Sequence, residues 1–248
     1  MKTTISCRFQ TTLFLFIILT TPSFAQFPQI FSNDYNLIKS GVTVAKAKIT
    51  FHLNKERTRY SYSMSSKTTG IASWFRSDKI NENSTGNYSQ ELGFLPTNYH
   101  YKRSGGKDEN KIIKFNRDKK FATETEKNHS KKINTEADTI DRLVVQIALM
   151  HNFSNIKPED NELEDIQYSV IDKGKLKKYN IKVIKKENLK TAIGKLDTIV
   201  VNRSRKGSSR STTMWLASDL HYIPVKIQQK KNGDTSFEMR IKKTTLIK

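Results

Sequence analysis

Residues 45–53 read Ala-Lys-Ala-Lys-Ile-Thr-Phe-His-Leu, so apolar and polar side chains alternate along the stretch. Successive side chains of a β-strand point to opposite faces, and the alternation therefore predicts a strand with one buried and one solvated face. After a polar break at residues 54–57, a second alternating run contains Tyr60, Tyr62 and Met64. The two runs together predict a β-hairpin.

The same alternation recurs in the second half of the chain. Two alternating runs at residues 223–227 and 237–241 flank Asn232-Gly233. Asn-Gly between alternating runs is a strong hairpin signal. A fourth alternating run spans residues 179–183, and weaker patterns predict strands at residues 99–103, 111–115, 166–171, 197–202 and 212–216. Composition predicts loops at residues 123–136 and 203–211.

One stretch has a helical rather than a strand-like period. Apolar residues recur at the spacing of one helix face, with Asp138 or Thr139 placed to cap the start: Ile140, Leu143, Val144, Ile147 and Ala148. This predicts one amphipathic helix of about three turns over residues 140–150. We therefore expect a mainly β fold: an antiparallel, strongly curved sheet or partly open β-barrel wrapped around one amphipathic helix.

The N-terminus has the layout of a secretory signal peptide. Lys2 and Arg8 precede an apolar run at residues 13–19, and Ser23-Phe24-Ala25 forms a small-residue cleavage site. Seven apolar residues are far fewer than the roughly 20 of a membrane-spanning helix. We expect cleavage between Ala25 and Gln26, a single β-rich domain at residues 26–248, and no transmembrane segment after cleavage. The expected location is the periplasm, with secretion as the alternative.

Cleavage would also remove the only cysteine, Cys7. Disulfides and thiolate catalysis are then excluded for the mature chain. The five histidines are far apart in sequence, and neither a Gly-x-Ser-x-Gly turn nor a glycine-rich phosphate loop is present. We therefore predict no catalytic residue, metal or cofactor, and a protein that is not an enzyme. A glycan- or lipid-acting hydrolase is the alternative.

The chain is strongly basic. Loss of Lys2 and Arg8 lowers the formal net charge from +20 to +18. Such a charge favours an anionic membrane surface, lipopolysaccharide or an acidic protein partner, although lysines also keep β-proteins soluble. Nucleic acid is not expected, because no aromatic-interleaved binding motif accompanies the cations. The candidate basic surface comprises Lys177, Lys178, Lys182, Lys185, Lys186, Arg203, Arg205, Lys206, Arg210, Lys230 and Lys231.

Residues 215–227 read Trp-Leu-Ala-Ser-Asp-Leu-His-Tyr-Ile-Pro-Val-Lys-Ile, which resembles the C-terminal signature of the DUF3108 family of exported Gram-negative proteins. Upstream residues such as Tyr60, Tyr62 and Gly174 agree in order, whereas Asn116 and the wording of residues 138–142 depart from the family pattern. The resemblance implies a periplasmic β-sheet domain wrapped about a helix, similar to open barrels that carry apolar cargo. It implies no reaction.

The signature residues also have a structural interpretation. They are Trp215, Leu216, Asp219, Tyr222, Pro224 and Val225. Trp215 and Leu216 would fill the core, Asp219 would stabilise a turn, and Tyr222 would pack its ring. Pro224 cannot donate a ladder hydrogen bond and would mark an edge or a bulge.

The functional hypothesis is a non-catalytic binding or assembly module for an apolar or amphipathic ligand, such as a lipid or another envelope component. The candidate ligand face is the apolar side of the sheet, comprising Phe51, Tyr60, Tyr62, Ile181, Val183, Val225, Ile227 and Met239. In the alternative interpretation, the helix fills this space and leaves no room for a ligand.

Overall fold

The computed structural model describes residues 27–70, 73, 77–155, 165–204 and 207–246. The expected cleavage residues Ala25 and Gln26 lie outside this part of the chain, as do Arg205 and Lys206. The strands are β1 (Ile30–Lys39), β2 (Val42–Leu53), β3 (Arg59–Thr68), β4 (Lys79–Ser89), β5 (Gly93–Ser104), β6 (Glu109–Asn116), β7 (Phe121–Glu126), β8 (His129–Asn134), β9 (Ile140–Asp141), β10 (Ile166–Asp172), β11 (Lys175–Thr191), β12 (Gly194–Ser204), β13 (Arg210–Ala217), β14 (Ile223–Lys231) and β15 (Asp234–Thr244). The α-helix α1 covers Val145–Asn155, and a 3₁₀ turn covers Ser218–Leu220.

In the part of the chain that the structure describes, fifteen strands form one sheet, in the order β8-β7-β6-β5-β4-β3-β2-β1-β15-β14-β13-β12-β11-β10-β9. Neighbouring strands are antiparallel except β9 and β10, which pair in parallel. The first and last long strands are neighbours, with Leu37 of β1 opposite Met239 of β15. The prediction of a mainly antiparallel β fold is therefore confirmed.

Both predicted hairpins are present. Phe51 of β2 lies opposite Tyr62 of β3. At the β14–β15 turn, Asn232 and Gly233 both have positive φ, 52° and 89°, as a tight hairpin turn requires. The five weaker strand predictions fall within β5, β6, β10, β12 and β13.

The helix begins later in the chain than its periodicity predicts. Ile140 and Asp141 form β9 opposite Val170 and Ile171, and α1 begins only at Val145. The predicted cap at Asp138 or Thr139 is wrong. Asp141 instead accepts the backbone N–H groups of Leu143 and Val144 through Oδ1, at 2.9 and 3.1 Å, which turns the chain into the helix.

The predicted loop at residues 123–136 is also wrong, because most of it forms β7 and β8. Of their twelve residues, only Ala122 and Ile133 are buried. These strands are the last two at one end of the sheet, and their other ten residues are half-buried or exposed. Their polar composition therefore hides the strand period. The other predicted loop is shorter than expected, because β12 extends to Ser204 and β13 begins at Arg210.

Helix α1 contacts strands that are far apart in the sheet order. Gln146 accepts a hydrogen bond from the Tyr62 hydroxyl of β3 at 3.0 Å, and Asn152 donates to the Tyr168 hydroxyl of β10 at 2.8 Å. The two ends of the sheet also approach each other, since Lys131 of β8 donates to the Gly174 carbonyl after β10 at 3.0 Å. Within the described residues, no helix is long and apolar enough to cross a membrane.

Candidate functional site

A pocket rich in cations has a volume of about 290 Å³ and lies against the inner face of the sheet, by which we mean the face that packs on α1. We call this cavity the cationic pocket. Its wall contains five cations and two carboxylates: Arg142, Lys173, Lys177, Arg203, Arg210, Glu82 and Asp172. The remaining wall residues are polar or apolar but uncharged: Tyr179, Ser204, Ser208, Gln146, Gln229, Met64 and Leu143. The formal charge of the wall is therefore +3.

The strand register explains why the apolar core ends at this level of the sheet. One row of cross-strand partners on the inner face is wholly apolar: Val183, Val201, Met214, Ile227 and Met239. Two residues further along each strand, the same face carries Ile181, Arg203, Thr212, Gln229 and Phe237. Side chains two apart share a face. On β12, β13 and β14, this face therefore changes from apolar to polar within two residues.

Arg142 is held by a buried carboxylate. Its Nη2 lies 2.7 Å from Glu82 Oε1, and its Nε lies 3.0 Å from Oε2 of the same residue. The Tyr99 hydroxyl donates to Glu82 at 2.7 Å and accepts from Arg142 Nε at 2.9 Å. Burial alone would lower the pKa of Arg142, but Glu82 and Tyr99 outweigh it and hold the pKa above its ordinary value. The guanidinium of Arg142 is therefore charged, and Glu82 both orients it and balances its charge.

Lys177 is neutralised in the same way. Its Nζ lies 2.6 Å from Asp172 Oδ2. Burial opposes the charge on Asp172, but the hydrogen bond and charge of Lys177 outweigh it and hold the pKa of Asp172 below its usual value. Burial also raises the pKa of Tyr179, next to this pair, to about 12. Each of the pocket's two carboxylates therefore pairs with one cation, Glu82 with Arg142 and Asp172 with Lys177.

The other three cations have no carboxylate partner among the described residues. Arg203 donates to the Thr212 hydroxyl at 2.9 Å, and its guanidinium lies over the ring of Tyr179. Arg210 and Lys173 are exposed, and neither forms an ion pair within the described part of the chain. The surplus charge of the pocket therefore belongs to Lys173, Arg203 and Arg210.

A second buried polar group lies beside Arg142. Asp141 is fully buried and accepts the Ser84 hydroxyl through Oδ2 at 2.6 Å. Ser84 in turn lies 3.1 Å from the Tyr60 hydroxyl. Burial raises the pKa of Asp141 to about 6, even though three hydrogen bonds favour its charged form. This carboxyl secures the entry to α1 and the position of Arg142.

The predicted apolar ligand face forms the protein core. Seven of its eight residues are buried, and Val183 packs partly buried against them. Phe51, for example, is 1% exposed and stacks on Phe31 at 5.1 Å. None of the eight lines the cationic pocket.

The predicted basic surface divides into separate groups. Lys177, Arg203 and Arg210 meet in the cationic pocket. Lys178, Lys182 and Lys185 pair instead with Glu136, Asp165 and Glu187. Lys186 lines a separate cavity beside Tyr222, and Lys230 and Lys231 are exposed at the end of β14. Alternation along β11 causes the division, because neighbouring lysines point to opposite faces.

The family signature lies outside the cationic pocket. Leu216 and Val225 are buried in the core. Trp215 donates to Glu187 and is covered by Lys226, whose Nζ lies 4.3 Å from the ring centroid. Pro224 lies at a register shift between β13 and β14, as its missing N–H predicts.

The turn of the signature follows the 3₁₀ segment. His221 and Tyr222 both have positive φ, 52° and 59°. The Tyr222 ring packs 5.6 Å from that of Phe153 in α1, and Asp219 accepts the Ser218 hydroxyl at 3.4 Å. These contacts hold the turn against the helix.

The family model described as "Protein of unknown function (DUF3108)" matches residues 31–241, most of the chain. The chain belongs to the DUF3108 family. Among solved structures, this DUF3108 protein is similar to a β-barrel-like protein of the DUF1849 family from Brucella abortus. The two share 10% identity with a TM-score of 0.56, over 88% of this chain and 98% of that one.

A second similar structure is a Bacteroides fragilis protein with a YmcC-like fold, at 9% identity and a TM-score of 0.32, over 87% of this chain and 95% of that one. The Brucella likeness supports a β-barrel-like fold for this DUF3108 chain and carries no activity with it. No curated protein matches the chain.

Sequence reasoning missed Glu82, Tyr99, Arg142 and Lys173 as site residues of this DUF3108 chain. They lie on β4, on β5, before α1 and in the β10–β11 turn, and only folding brings them together: three line the cationic pocket, and Tyr99 contacts two of these. Arg142 offers one usable signal, because it follows Asp141 directly before the mostly apolar residues 143–150. Among the described residues, no group of three or more histidines, cysteines or carboxylates could hold a metal ion.

Proposed function

We propose that this protein is a non-catalytic binding module of the bacterial cell envelope whose cationic pocket holds an anionic group of its ligand. The observation that carries the proposal is the convergence of Lys173, Arg203 and Arg210 in one concavity, with no carboxylate partner among the residues that the structure describes. Hydrogen bonds between a guanidinium and a phosphate or carboxylate are about twice as strong as neutral ones.

Two of the pocket's arginines are held in place before a ligand arrives. Thr212 and the Tyr179 ring hold Arg203, and Glu82 holds Arg142. Ordering a free arginine side chain on binding costs about 0.5–1.5 kcal/mol, and these contacts reduce that cost. Hydroxyl groups of Ser204 and Ser208 lie in the same wall and supply neutral donors. This donor set suits a phosphate ester better than a bare carboxylate, because a phosphate offers more acceptor oxygens.

A curved sheet would bring distant strands together at the cationic pocket and so supports the proposed function. We infer that the sheet curls around α1, since the helix contacts β3, β10 and the turn after β13, and since β8 reaches Gly174. Curling brings Glu82 of β4 beside residues of β10 to β14 in the wall of the cationic pocket. The packed core then acts as a rigid base for the pocket and does not itself hold the ligand.

The proposal is tested by isothermal titration calorimetry with glycerol 3-phosphate at low ionic strength. The double substitution Arg203→Gln/Arg210→Gln is expected to weaken binding at least tenfold, since each charge-assisted hydrogen bond contributes about 1.5–3 kcal/mol. The matched control is Lys46→Gln/Lys48→Gln on the outer face of β2, which removes the same charge from exposed residues. Equal losses in both variants, or no binding by the unaltered protein, would contradict the proposal.

The envelope location follows from the signal-peptide interpretation and has a separate test. Protein expressed with its N-terminal residues 1–25 is expected in the periplasmic fraction. Its intact mass should match a chain that begins at Gln26. An uncleaved chain in the cytoplasmic fraction would show the location to be wrong and leave the pocket unaffected.

A further inference from the structure

A second cavity, of about 320 Å³, adjoins the cationic pocket. We call it the aromatic pocket, after Tyr99 and Tyr101 in its wall. Arg142 and Lys173 line both cavities. The two pockets therefore meet at these two side chains, beside the β10–β11 turn.

The turn that carries Lys173 is held in place. Lys173 and Gly174 both have positive φ, 53° and 68°, and Lys131 donates to the Gly174 carbonyl. A Cβ added at Gly174 would lie 2.6 Å from Glu124 Oε1, so the turn packs directly on β7. Lys173 thus projects from an anchored turn at the boundary between the two pockets.

The charges around the aromatic pocket neutralise one another. Arg103 Nη2 lies 2.9 Å from Asp78 Oδ2. Lys111 Nζ lies 3.5 Å from Glu109 and 3.4 Å from Glu126. Unlike the cationic pocket, this cavity has no local surplus of cations apart from the shared Lys173. It is therefore not a second anion site.

Part of the wall of the aromatic pocket is apolar, and the rest is charged: Arg103, Glu109, Lys111, Glu124, Arg142 and Lys173. Ile113 and Ile171 lie in its wall and are almost fully buried. Tyr101 is half-buried, and one side of its ring faces the Arg142 guanidinium at 4.9 Å. Such a surface suits a short uncharged segment of a ligand, because Arg103, Lys111 and Arg142 are already paired with carboxylates and the apolar side chains between them present hydrocarbon.

We propose that the ligand is an amphipathic phosphate ester, with its phosphate in the cationic pocket and the adjoining short hydrocarbon segment in the aromatic pocket. The inference rests on the proposed function for the position of the phosphate. It adds the second subsite and the chemical class of the ligand. Arg142 is the shared positioning residue, since Glu82 and Tyr99 orient it between the two cavities.

The test is a chain-length series measured by calorimetry on the full-length exported protein: inorganic phosphate, ethyl, butyl and hexyl phosphate, each below its micelle concentration. Affinity is expected to rise about fourfold for each methylene that becomes buried and to level off once the cavity is full. If phosphate binds but affinity does not change with chain length, the second subsite is overturned and the proposed function stands. If no member binds, the proposed function fails as well.

A substitution in the aromatic pocket tests whether the hydrocarbon segment of the ligand binds there. Tyr101→Ala is expected to remove most of the gain between ethyl and hexyl phosphate and to weaken the binding of inorganic phosphate by no more than about threefold, the effect of losing the cation–π contact with Arg142. The matched control is Tyr222→Ala, which truncates another half-buried tyrosine outside both pockets. Circular dichroism checks the fold of both variants. An unchanged chain-length gain in folded Tyr101→Ala would overturn the assignment, and the series on the unaltered protein decides the matter if that variant does not fold.

Discussion

Arg203 lies over the ring of Tyr179, with its guanidinium carbon 4.5 Å from the ring centroid. Tyr179 is 6% exposed and belongs to the neighbouring strand, so a core side chain supports a ligand-facing cation. The contact fixes the guanidinium plane and leaves its remaining N–H groups free to meet an anion. The orientation of Arg203 therefore depends on the packing of Tyr179.

Loss of that ring is expected to weaken anion binding. Tyr179→Leu should reduce the affinity for glycerol 3-phosphate about threefold, since a partly exposed cation–π contact contributes about 0.5–1 kcal/mol. Tyr179→Phe keeps the ring and should bind nearly as well as the unaltered protein. Calorimetry on both variants measures the difference. Equal losses in the two would mean that the hydroxyl, and not the ring, orients Arg203.

Asp141 is expected to make stability depend on pH. Its pKa in the folded protein is about 6, against 3.8 for an ordinary aspartate, because burial disfavours the charge. The folded state thus binds the proton more tightly than the unfolded state. This group therefore adds stability as pH falls through 6 toward 4, and its charged form costs on the order of 2–3 kcal/mol at pH 7.

Asp141→Asn removes this titration and keeps an acceptor for the N–H groups of Leu143 and Val144. The free energy of unfolding, measured in urea at pH 5 and pH 7.5, should favour the variant more at pH 7.5 than at pH 5. Comparing the two proteins at each pH cancels all other titrating groups. An identical difference at both pH values would show that Asp141 has an ordinary pKa.

The Glu82–Arg142 pair is expected to be strongly non-additive. Arg142→Met leaves the Glu82 carboxylate, which is 6% exposed, without its cation. Breaking a buried pair in this way costs about 3–5 kcal/mol. The double substitution Glu82→Gln/Arg142→Met removes both charges and should recover a large part of that loss in urea denaturation. Simple addition of the two single effects would contradict a direct coupling.

Gly86 is required by close approach of two strands. A Cβ at this position would lie 2.2 Å from the Leu95 carbonyl oxygen and 2.7 Å from Pro96 Cα, both backbone atoms of β5. Gly86→Ala should therefore cost about 2–3 kcal/mol, since the backbone must move. The comparison is Gly41→Ala, where φ is +80° but nothing lies within 4 Å. It should cost only about 1 kcal/mol. A smaller loss at Gly86 than at Gly41 in thermal unfolding would contradict the steric argument.

Strand β4 illustrates why part of the fold could not be predicted from the sequence. Its buried residues include Glu82, Ser84 and Tyr88, so the inner face is mostly polar and the apolar alternation is lost. Those polar groups are buried because Arg142, Asp141 and Tyr60 arrive from other elements to pair with them. A period-two pattern in hydrophobicity cannot report partners that come from distant parts of the chain. Strand β1 was missed as well, at residues 30–39.

By itself, the sequence determined the strands with a clean alternation, the hairpin at Asn232-Gly233, the family and the excess of positive charge. These are properties of neighbouring residues or of composition, and they do not depend on what lies opposite. Only the tertiary structure decided which cations meet. Lys177 and Lys178 are neighbours in the chain, yet one lines the cationic pocket and the other pairs with Glu136 on the opposite face. Strand register and the packing of α1 settle this, because a shift of one residue would exchange the two faces.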